Sequence, residues 1–106
     1  MTNTNGASAD PQIQEIRDSL GPYADAHSNA EIDVRRRNSV SLRIRIIDPD
    51  FASIDRVDRE TPIWRLLEEL PDSVLSNITM LLLLTPEEAP DSFANREFED
   101  PLPPLL

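Results

Sequence analysis

The chain has 106 residues, a formal net charge of -10 and 39% hydrophobic residues, enough for one domain that folds around its own core without covalent staples. It has no cysteine, which excludes disulfides and thiolate metal sites and leaves the redox compartment open. The acidic balance argues against general affinity for nucleic acid or anionic membranes, because such binding rests on Lys and Arg meeting phosphate.

Residues 1–10 are small and polar without periodicity, and read as a disordered N-terminus with no basic and apolar leader segment. Asp10 is then placed as an N-cap with Pro11 in the first helical position. Ile13, Ile16 and Leu20 lie on one face of that helix, and Gly21-Pro22 is its stop signal. From Glu31 the period becomes two. Ile32 and Val34 fall on one face and Asp33 and Arg35 on the other, and Arg37-Asn38-Ser39 turns the chain into a second strand.

The second strand sets Val40, Leu42, Ile44 and Ile46 against a core and sends Ser41, Arg43, Arg45 and Ile47 the opposite way. Asp48-Pro49-Asp50 ends it, and a short helical turn follows around Ser53 to Arg59. A main helix is expected from Thr61 as N-cap and Pro62, with the stripe Ile63, Leu66, Leu67 and Leu70 and a stop at Pro71. Ile78 to Leu84 reads as a buried strand, with a short buried helix as the alternative. From Pro86 onward the chain carries five of the ten prolines among alternating acidic and apolar residues, so 90–106 is expected to be an acidic tail without regular structure. The longest apolar run, Met80 to Leu84, is far short of the roughly 20 residues a membrane helix needs. The protein is therefore expected to be soluble and cytoplasmic.

The order helix, hairpin, short helix, helix, strand over residues 11–89 resembles the BolA-like family, whose fold is related to class II KH domains. The residues that carry the likeness are Phe51 after the second strand, Arg59, Trp64 in the main helix, and Thr85-Pro86-Glu87-Glu88 after the last strand. The resemblance implies a two-layer α/β sandwich with helices on one face of a three-stranded mixed sheet, the hairpin strands antiparallel and the last strand parallel to the second. It also implies histidine or cysteine ligands for an iron-sulfur cluster shared with a monothiol glutaredoxin. At those places this chain has Glu60, Ser76 or Asn77, and the hairpin loop Arg36-Arg37-Asn38-Ser39. Neither imidazole nor thiolate is among them, so no cluster or other cofactor is expected.

His27 is the only histidine, in a small polar segment beside Asp25 and Ser28, and reads as a solvated loop residue rather than a general base. Asp48 and Asp50, with Asp55 and Asp58 nearby, are read as a strand exit and cap instead of a Mg²⁺ or Ca²⁺ site, since no glycine-bearing calcium loop is present. No catalytic or metal-binding residue is assigned.

All ten basic residues are arginine, and Arg35, Arg37, Arg43 and Arg45 are expected on the open sheet face. There they pair with acids such as Asp33, or receive phosphate or a carboxylate-rich partner segment. Period two places Leu81 and Leu83 on that same face, needing cover from the chain's own Phe93, Phe98, Leu102, Leu105 and Leu106 or from a second copy. Glu97, Glu99 and Asp100 match the arginines in charge. These arginines and leucines form the candidate interaction face of a non-enzymatic regulatory or protein-interaction domain, with a homodimer open. The alternatives are a KH-like nucleic-acid module, which would want a Gly-x-x-Gly clamp and stacking aromatics, and a small hydrolase.

Overall fold

In the computed structural model, which describes residues 10–102, Asp10 caps the first helix by accepting the N–H groups of Gln12 and Ile13 at 3.1 and 3.3 Å. Helix α1 spans Pro11–Ser19, and its neighbour α2, Gly21–Ala26, begins where the stop signal was expected. Both outcomes have one cause. Pro22 has no N–H to continue α1, and the same lack suits it to the first turn of the next helix. The segment 1–9 and residues Leu105 and Leu106 lie outside the described residues.

Strands β1 (Glu31–Asn38) and β2 (Ser41–Ile47) form the antiparallel hairpin, with Asp33 opposite Arg45 and Arg35 opposite Arg43. Strand β3 (Ile78–Leu84) adds parallel to β2, so the sheet order is β1-β2-β3. Val40, expected on the core face, is instead in the turn and 64% exposed. The turn lies later in the chain than expected because Asn38 Oδ1 accepts the Val40 N–H at 2.9 Å and closes a local loop there.

The side chains of β3 correct a second expectation. Ile78 pairs with Leu42, the register then slips by one residue, and Leu81 and Leu83 pair with Ile44 and Ile46. A one-residue slip exchanges the two faces. Leu83 therefore lies in the helix-side core with Leu81 packed against it, and neither joins the arginine face. Met80, Leu82 and Leu84 pair with Arg43, Arg45 and Ile47 instead.

Helix α3 (Arg56–Leu67) begins before Thr61 and contains Pro62. A proline inside a helix forfeits a backbone hydrogen bond and crowds the preceding turn. The early start is held by Arg59, whose guanidinium is tied to three backbone carbonyls and a carboxylate. The short helix α4 (Asp72–Leu75) follows Pro71. Ile16, Leu20, Tyr23, Ile63, Leu67 and Val74 from these helices close over Val34, Leu42, Ile44 and Ile46 of the sheet, making the two-layer α/β core that was expected.

The chain from 90 onward is where the expectation of an irregular tail fails. Ser92 accepts the Asn95 N–H at 3.0 Å and caps α5 (Phe93–Glu99), whose Phe98 is buried. Among the described residues no helix is long and apolar enough to cross a membrane.

Leu67 has no exposed surface and sits mid-stripe against the sheet. Leu67→Ala is expected to lower unfolding stability by about 2–5 kcal/mol in denaturant melts, the cost of truncating a buried leucine.

Candidate functional site

The period-two pattern of the hairpin puts Arg35, Arg43 and Arg45 on the sheet face away from α1–α4, and helix α5 covers that face. Phe98 is the centre of the cover. The guanidinium groups of Arg35 and Arg45 stand 4.7 and 4.6 Å from its ring centroid, a cation–π arrangement on both arginines. Arg45, 6% exposed, also donates to Asp33 across the hairpin at 2.8 Å, to Asn95 at 2.8 Å, and to Glu99. Arg43 pairs with Glu97 at 3.2 Å, and Arg35 reaches Glu99 at 3.7 Å.

Arg37 donates to the Leu102 carbonyl at 3.1 Å, while Glu97 accepts the Leu102 N–H at 3.0 Å, so the chain beyond the helix is drawn onto the same face. Arg45 thus pairs across strands with Asp33, and Arg35, Arg37, Arg43 and Arg45 hold a carboxylate-bearing segment of their own chain. Asp100 and the side chain of Leu102 remain exposed, and Leu81 and Leu83 take no part. Hydrogen bonding to Arg45 lowers the Glu99 pKa, and the Leu102 N–H followed by Arg43 lowers that of Glu97.

Phe51, Arg59, Thr85 and Glu88, among the residues that carry the family likeness, converge on one ion pair. Arg59, 4% exposed, donates to the carbonyls of Ile54, Leu83 and Phe51 at 3.0, 3.1 and 3.0 Å and grips Glu88 through two nitrogens at 2.7 and 3.1 Å. Thr85 and Glu88 exchange hydrogen bonds, the Thr85 N–H to the carboxylate and the Glu88 N–H to the hydroxyl. With Arg59 first and the Thr85 N–H second, these contacts hold the Glu88 carboxyl down at about 2. Trp64 lies half-buried and donates to Glu60 at 3.3 Å. These residues are architectural. They join β3 to α3 and to the turn after β2.

The hairpin loop and the approach to β3, where the resemblance implies cluster ligands, do meet in space. Arg36 donates to Asp10 at 2.6 Å and to Gln12 at 2.8 Å, and the Asn77 amide donates to the same Gln12 oxygen at 3.2 Å. Arg36 lowers the Asp10 pKa. The donor set at this junction is guanidinium, amide and carboxylate, and it does not fit an iron-sulfur cluster, which takes thiolate or imidazole.

His27 is the residue whose setting the sequence concealed. Its Nδ1 lies 2.8 Å from Asp50 Oδ2 and 3.2 Å from Asp48 Oδ2, its ring stacks on Tyr23 at 4.0 Å, and the Tyr23 hydroxyl donates to Asp48. Burial first, then Asp48, pushes the Tyr23 hydroxyl pKa up. The polar partners of His27 are these carboxylates, not Asp25 or Ser28, and no hydroxyl nucleophile is among them.

No family model matches the chain, and no curated protein matches it. Among solved structures, BolA1 from Arabidopsis thaliana is similar, with a TM-score of 0.51 at 17% identity over 76% of this chain and 99% of that one. Identity at this level speaks to architecture alone. The chain has a BolA-like fold, with α5 laid on the sheet face opposite the other helices.

Asp10, Glu88, Glu97 and Glu99 all hold their protons more weakly folded than unfolded. Their stabilisation is complete above the unfolded carboxylate range near 4.5 and is lost as pH falls through the folded values, toward about 2 for Glu88. The melting temperature is expected to drop between about pH 6 and about pH 3, with a shallower slope in Glu88→Gln. Thermal melts across that range check both.

Proposed function

We propose that this protein is a non-enzymatic, cytoplasmic regulatory domain of BolA-like fold that binds protein segments on its arginine face and carries no iron-sulfur cluster. The docked α5 is the observation that carries the reading. That face already holds a peptide segment of defined chemistry, one phenylalanine flanked by carboxylates, through Phe98, Glu97 and Glu99. A partner protein or a second copy presenting the same chemistry competes with α5 for the same arginines.

The closed face also weighs against a KH-like module, because Arg35, Arg43 and Arg45 are already paired with acids and Phe98 is buried beneath Arg35 and Arg45. Against hydrolysis stands the setting of His27, whose side-chain partners among the described residues are the carboxylates of Asp48 and Asp50. The mismatched donor set around Gln12 supports the reading without a cluster.

A labelled peptide of residues 91–102 should bind the full chain carrying Phe98→Ala, whose own helix is weakened, more tightly than it binds wild type in a fluorescence-anisotropy titration. Absence of binding to either chain overturns the segment-binding role. Protein co-expressed with a monothiol glutaredoxin should purify without the visible absorption of a cluster. A stoichiometric chromophore would contradict that part of the proposal.

A further inference from the structure

At the end of β2 opposite the hairpin turn, Asp48 is fully buried, yet its salt-bridge partner among the described residues is His27, which is charged only when protonated. Its other contacts are the Tyr23 hydroxyl and the Asp50 N–H, the latter at 2.9 Å, and both are neutral. A carboxylate removed from water is costly unless hydrogen bonds and an opposite charge compensate it. Asp50 brings a second carboxylate to the same imidazole nitrogen, which has room for one proton to share between two oxygens.

The spacing fits a cation in place of that proton. Bonds of about 2.1 Å from a divalent ion to nitrogen and oxygen give ligand–ligand edges of about 3.0 Å in an octahedron and about 3.4 Å in a tetrahedron. The 2.8 and 3.2 Å separations from His27 Nδ1 to the two carboxylates are close to such edges, and the three ligand atoms all lie within 4.8 Å of one another.

The ligands stand on fixed backbone. Asp48 donates its N–H to Leu84 O at 2.9 Å, Pro49 restricts the link to Asp50, and His27 caps α2 through the carbonyls of Tyr23 and Ala24. Tyr23 stacks on His27 and donates to Asp48 Oδ2, the oxygen that faces the imidazole, and so orients two of the three ligands. The Asp50 side chain is 64% exposed, leaving an approach from solvent and positions for water on the metal.

We infer that His27, Asp48 and Asp50 form a binding site for a divalent transition-metal ion, with Zn²⁺ as its best probe. One imidazole with two carboxylates suits zinc and its first-row neighbours. Calcium wants six to eight oxygens and magnesium a largely hydrated oxygen octahedron, so both fit less well. The site lies away from the Arg36–Gln12–Asn77 junction and is independent of the proposed segment binding.

Calorimetric titration of the full chain with Zn²⁺ should show one tight equivalent, and Co²⁺ should give visible ligand-field bands. His27→Ala and Asp50→Asn should each weaken Zn²⁺ by about tenfold or more, a loss at least as large as that for removing a supporting contact. Glu15→Gln, an exposed acid on α1 away from the site, should leave affinity unchanged. Circular dichroism of the variants confirms that they fold. No tight equivalent in wild type, or undiminished affinity in folded His27→Ala and Asp50→Asn, overturns the site.

Discussion

The buried Arg59 guanidinium is the constraint on which the helix-side layer depends. It occupies the seam where the turn after β2, the start of α3 and the end of β3 meet, and it donates to the carbonyls of Phe51, Ile54 and Leu83. Burying a charge there is unfavourable unless every donor finds an acceptor and the charge finds its opposite, and the paired grip on Glu88 supplies the latter. Glu88 is in turn fixed by Thr85, so the turn after β3 is shaped by the same ion pair. A helix that carries Pro62 near its middle forms from Arg56 because its first turns are anchored from outside.

Charge has a second organising role on the opposite face. A chain this acidic uses its hairpin arginines internally: Arg43 and Arg45 meet Glu97 and Glu99, and Phe98 lies beneath Arg35 and Arg45. Exposed ion pairs of this kind contribute little singly. Their value rises where Arg45 is almost fully buried and Phe98 excludes water from the cluster. The sheet face is thereby covered by a segment of defined chemistry, and this links the packing of α5 to the proposed function.

Much of this was legible in the residues, and the failures have identifiable physical causes. The Asp10 cap, the hairpin and the stripe through Ile63 and Leu67 all follow from period and capping, which are local properties, whereas the parallel pairing of the third strand was implied by the family resemblance. The complementarity of Glu97 and Glu99 to the arginine face was readable from charge and alternation. Leu81 and Leu83 were misplaced because a bulge near Thr79 changes face without changing composition. Helix α5 was hidden by the prolines around it, although Ser92 ahead of Phe93 is an N-cap signal. The meeting of His27 with Asp48 and Asp50 leaves no local trace, since it depends on α2 packing beside the end of β2.

The claim that the Arg59–Glu88 pair joins the two sides of the seam is tested most directly by a double-mutant cycle with Arg59→Met and Glu88→Gln, read from denaturant unfolding. Residues that act as one buried unit show coupling energies of about 1–3 kcal/mol, and a value in that range is the predicted result. Additive effects, with coupling below about 0.5 kcal/mol, would show that the two residues stabilise the fold separately and would contradict the account.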